Sequence, residues 1–157
     1  MQTKILIATL ILFSLLSCKS GPAFEYNQEL VKIENTLLPE VENASKKISA
    51  YIEKGNFDSM ARISGNMVNL MDQKIEQVRK MPAPEAKQAE NFKKGYINYF
   101  EYMRSIYVSY KNFATEQTEE NRQKMMSVEN RRNLVIAELQ EVQRQYAKAN
   151  GFKMEGE

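Results

Sequence analysis

Apolar residues return three and four positions apart through nearly the whole chain from Leu30 onward, and this spacing decides what it can fold into. Side chains three and four apart share one face of an α-helix, whereas a half-buried strand needs alternation at every second residue. One series reads Leu30, Ile33, Leu37, Val41, Ala44, Ile48, Ile52; the next Phe57, Met60, Ser64, Met67, Met71, Ile75, Val78. A third runs Ala89, Phe92, Tyr96, Tyr99, Met103, Ile106, Tyr110, Phe113, and a fourth Met125, Val128, Arg132, Val135, Leu139, Val142, Tyr146, Ala149. No segment alternates strictly enough to read as a strand.

Between the series stand residues that stop or start helices. Gly55 supplies a stop and Asn56 an N-cap, and Pro82 and Pro84 forbid continuation of the second helix. Pro84 suits the start of the third, with Glu85 in its first turn. Thr118 caps the fourth, followed by Glu119 and Glu120, and Asn150-Gly151 ends it. Pro39 falls inside the first series and is expected to kink or split that helix. Long helices with short connections must lie antiparallel to bury their stripes. The expectation is an all-α, up-down antiparallel four-helix bundle over residues 25–150, with 151–157 a flexible tail. The runner-up is a three-helix bundle with the first segment broken at Pro39.

The amino terminus follows different rules. Lys4 precedes Ile5 to Leu16, a run without charge interrupted by Thr9 and Ser14. Crossing a bilayer takes roughly 20 apolar residues, so this run is too short to span stably and reads as an export signal. Leu15-Leu16-Ser17-Cys18 resembles the lipobox of bacterial lipoprotein precursors. The resemblance implies cleavage after Ser17, a diacylglyceryl thioether on Cys18 and acylation of its amine. Residues 1–17 are then signal peptide and 18–24 the lipidated cysteine with its tether. The partner so implied is a membrane, held through the acyl chains, each buried methylene contributing ~0.8 kcal/mol. Lys19 stands where lipoproteins kept at an inner membrane carry aspartate, which points to the outer membrane of a cell envelope. Cys18 is the single cysteine, leaving no thiol for a disulfide.

Composition removes most chemistry. There is no histidine and there are six scattered glycines, hence no Ser-His or Cys-His pair, no imidazole ligand and no phosphate-cradling loop. The chain has 22 basic residues, one of them Lys4 in the signal, against 20 acidic, giving no electrostatic reason to bind nucleic acid. No enzyme, catalytic residue, cofactor or metal site is expected.

Three features invite functional readings. The third helix as a whole, residues 89–113, holds eight of the fifteen aromatics, and Ile97 and Val108 lie off its main arc. With Phe100, Arg104 and Tyr107 they are a candidate exposed strip for a protein partner; the alternative is a central helix covered on two sides. Met60, Met67 and Met71 share a face and suit Cu(I), or simply fill core. Arg132 sits in a seam, either reaching water along its stem or buried and paired with a glutamate from a neighbouring helix. The stretch KKGYINYFEYMRSIYVSYKNF, taken with the lipobox, is similar in general plan to small surface lipoproteins of the leptospiral type, a plan that implies no activity. The expected function is a membrane-anchored, non-catalytic envelope lipoprotein acting as a helical binding or structural module. The alternative is a small-ligand or metal carrier using the bundle interior.

Overall fold

Pro22 opens the first helix, α1 (Pro22–Glu53), because its missing N–H is one no helix start can use. The structure, a computed structural model, describes residues 21–152; Cys18 and the signal expected over residues 1–17 lie outside them. Gly21 is extended, and its carbonyl accepts the N–H groups of Phe24 and Glu25 at 2.9 and 3.1 Å. Pro22, Ala23 and Phe24, expected to belong to a tether over residues 18–24, already form the first turn of the helix, and residues 18–20 lie outside the described residues. The split expected at Pro39 does not occur. Pro39 and Asn35, whose carbonyl loses its donor, are both exposed, so water can satisfy that oxygen.

Asn56 caps α2 (Phe57–Lys80) by accepting the Ser59 N–H at 3.1 Å. The prolines end it, and the Lys93 ammonium closes its last turn by donating to the carbonyls of Arg79 and Met81 at 2.8 and 2.7 Å. Helix α3 (Ala89–Thr115) begins five residues later than the Pro84 start suggested by sequence. Gln88, at φ 64°, holds a left-handed conformation that a continuous helix from Pro84 would not contain.

The last series forms two helices, α4 (Glu119–Asn130) and α5 (Arg132–Asn150). The cause of the break is a tyrosine. Tyr102 donates its hydroxyl to the Val128 carbonyl, which also accepts the Arg131 N–H at 3.2 Å. In an unbroken helix that oxygen would receive the N–H of Arg132, four residues on. At the far end Gly151 is left-handed, and Phe152 and Gly151 donate to the carbonyls of Ala147 and Lys148 at 3.1 and 3.4 Å. This reciprocal cap turns Phe152 inward against Phe24 and Tyr146, with ring centroids 5.8 and 5.7 Å apart. Phe152, expected in a flexible tail over residues 151–157, is thus packed, and residues 153–157 lie outside the described residues.

With α4 and α5 read as one broken helix, the described residues form an all-α four-helix bundle without strands. No described helix is long and apolar enough to cross a membrane. Helices α2 and α3 lie together along their length, α1 backs onto α2, and α4 and α5 both lie on α3. Helix α3 is thus covered on two sides. The approach of α5 is close at Gly95, where an added Cβ would stand 2.9 Å from Cγ1 of Val142.

Candidate functional site

The inward stripe of α3 carries phenols among its apolar rings, and most of their hydroxyls meet polar groups from α1, α4 and α5. Tyr96, fully buried, donates to Oε2 of Glu34 on α1 at 3.2 Å and accepts from Nε2 of Gln143 on α5 at 2.8 Å. Burial raises the Glu34 carboxyl above its ordinary value, and the Tyr96 hydrogen bond only partly offsets it. Burial, then the Glu34 charge, push the Tyr96 phenol well up in turn.

Tyr99 stands between opposite charges. Burial and Glu34 raise its phenol, while the guanidinium of Arg132, the first residue of α5, acts in the other direction. Tyr107 follows, pushed up to about 12 by burial with Arg132 again opposing. Tyr110 donates to Oε1 of Glu129 in α4, and burial with that carboxylate raises it further. Burial thus favours the protonated phenol along this seam, and Tyr96, Tyr102 and Tyr110 use theirs as donors.

Arg132 follows neither of its expected forms fully. Its side chain is 43% exposed, and its nearest carboxylate is Glu129, one turn earlier, at 3.8 Å from Nη2. Its Nε is buried with no partner, among α3 phenols rather than a glutamate of a neighbouring helix. The arrangement joins α1, α4 and α5 to α3 by hydrogen bonds and charge. The Tyr96 phenol is the group that touches Glu34, and the Gln143 amide reaches that phenol rather than the carboxylate.

The strip expected from Ile97, Phe100, Arg104, Tyr107 and Val108 is not an exposed one. Phe100 and Tyr107 are 0% and 3% exposed, and half-buried Ile97 packs against the core. Arg104 pairs with Asp72 of α2 at 2.6 Å, and Val108 is half-buried. A central helix covered on two sides leaves no face on which all five residues meet solvent. Met60, Met67 and Met71 lie in the core at 0%, 4% and 0% exposure. Among the described residues no group of three or more acidic or cysteine side chains is placed to hold a metal. An open depression of about 470 Å³ lies on the outer side of α1, lined by Gln28, Val31, Lys32 and Asn35 among others, away from the bundle interior.

Sequence reasoning passed over Glu34 and Gln143. Each is four residues after one member of its stripe and three before the next, Leu30 and Leu37 for Glu34, Leu139 and Tyr146 for Gln143. Polar residues at such flanking positions are the available signal, since they lie beside the seam whichever neighbour covers it. Comparison of the chain with family models, with characterised proteins and with solved structures finds no match.

Proposed function

We propose that this chain is an exported lipoprotein, held on the outer membrane of a cell envelope by acyl chains on Cys18, whose bundle serves as a non-catalytic binding or structural module. The observation that carries the reading is the position of the single cysteine, directly after an uncharged run of signal length. The start of α1 at Pro22 fits it: only Lys19, Ser20 and Gly21 separate the cysteine from the helix. At ~3.3–3.6 Å per extended residue, the end of the bundle holding the start of α1 would sit within about 15 Å of the lipid. The polar groups of the interior support a structural role, since Tyr96, Tyr102 and Tyr110 are each engaged in joining helices. The carrier alternative gains no support from the methionines, because a metal would have to displace well-packed core around Met60 and Met71.

Metabolic labelling with a fatty-acid probe tests the anchor. Wild-type protein should take up label and fractionate with membranes. Cys18→Ala should lose both, or accumulate as uncleaved precursor, while its bundle still folds. An unlabelled wild-type protein ends the lipoprotein reading.

A further inference from the structure

Helix α4 differs from every other helix in having no buried residue. Met125 and Val128 are half-buried against the core, whereas α5 anchors itself with Val135, Leu139, Tyr146 and Ala147. Its internal ion pair, Glu119 with Arg122, is local and exposed, so it binds α4 to itself and to nothing else. At the first turn of α4 Asn121 donates to the carbonyl of Glu116, the C-cap of α3, at 3.0 Å. Two hydrogen bonds from the side of α3 fasten α4 at its last turn, Tyr102 on the Val128 carbonyl and Tyr110 on the Glu129 carboxylate. Directly beyond is the break at Arg131, where the backbone ladder is already interrupted. There too lies an incompletely satisfied charge, with Arg132 Nε buried and unpartnered and its Glu129 pair stretched to 3.8 Å.

We infer that α4 is a flap that opens as a unit between two flexure points, the 116–118 link and the break at Arg131, while α5 stays docked, and that opening uncovers the phenols of Tyr102 and Tyr110 on α3. The physical basis is unequal anchoring. A segment with few buried apolar contacts opens at lower free energy than the core, and a pre-existing break lets it do so without unwinding its neighbour. The inference goes beyond the anchored-lipoprotein reading and does not depend on it.

Native-state hydrogen exchange on the whole chain tests this. The hydrogen-bonded amides of α4 should exchange through one common opening, faster than those of α5 and of α1 to α3. Tyr110→Phe removes the hydroxyl that holds Glu129 and should raise exchange in α4 about tenfold, leaving the other helices unchanged. Three results overturn the flap: α4 and α5 exchanging together at one rate, exchange graded from Glu119 without a shared opening, or Tyr110→Phe accelerating all helices alike.

Discussion

The face that α2 turns inward and the seam that joins α1, α3 and α5 use opposite means to close the same bundle. Along α2 the buried side chains are Met60, Met67, Met71, Ile75 and Val78, with Ser64 the one polar member and its hydroxyl unpartnered. Such a face needs no directional contact, and flexible thioethers fill whatever gaps remain. On the other side α1 reaches α3 and α5 through long side chains. Tyr26 meets Phe92 edge-on at 6.2 Å, Tyr146 donates to the Ala23 carbonyl at 3.0 Å, and Tyr96 bridges Glu34 and Gln143. The difference teaches that one bundle can be dry where helices meet closely and hydrogen-bonded where they are spaced by aromatic rings. The first mode tolerates exchange of apolar groups; the second specifies register through polar partners that have no substitute.

The largest expected effect comes where the seam is most aromatic. Phe92 is fully buried, stacked on Tyr146 at 4.2 Å and edge-on to Tyr96 at 5.3 Å. Phe92→Ala should cost about 3–5 kcal/mol in chemical denaturation, whereas Met71→Ala, on the dry face, should cost about 2–5 kcal/mol and fall below it. A Met71 loss equal to or above that of Phe92 would erase the contrast in favour of the α2 face.

Tyr96→Phe isolates the polar part of the seam, since it keeps the ring and removes only the hydroxyl. Leaving Glu34 and Gln143 without their shared partner should cost about 1–3 kcal/mol. A loss under ~0.5 kcal/mol would mean that these hydrogen bonds do not hold the seam.

Two glycines sharpen the comparison by sign. Gly95→Ala drives a methyl into Val142 and should destabilise by about 1–3 kcal/mol despite better helix propensity. Gly65→Ala, on α2, meets only Cδ of Lys111 at 4.0 Å and should stabilise by about 0.5–1 kcal/mol. Thermal melts of the pair decide it: shifts in the same direction would contradict the close approach of α3 and α5.

The smallest effect is a pH slope. Because burial raises the Glu34 carboxyl above its ordinary 4.5, the folded state holds that proton more tightly than the unfolded chain. Its contribution is therefore complete below the unfolded value and is lost as pH rises through the folded one. Glu34→Gln should flatten stability over that acidic-to-neutral window. An unchanged slope in denaturation at several pH values would place Glu34 in water.

Periodicity alone determined the all-α class and the number of helical stripes, because a 3-4 repeat admits no other way to gather apolar residues on one face. The N-caps at Asn56 and Thr118 were equally legible, being local hydrogen bonds within one turn. Pro39 misled, since whether a proline breaks a helix depends on whether the orphaned carbonyl meets water, and its stripe cannot tell that. Phe100 and Tyr107 misled for a related reason: a helix covered on two sides buries residues that a single-stripe reading sends outward. The break at Arg131 has no proline or glycine to announce it. It arises because the Tyr102 hydroxyl, twenty-six residues away, reaches the Val128 carbonyl. Glu34, Gln143 and Tyr96 likewise become one network only when α1 and α5 flank α3. The sequence by itself settled what repeats along one helix, which is local geometry. Only the tertiary structure decided which flanking polar groups meet, because that depends on the spacing and rotation of helices far apart in the chain.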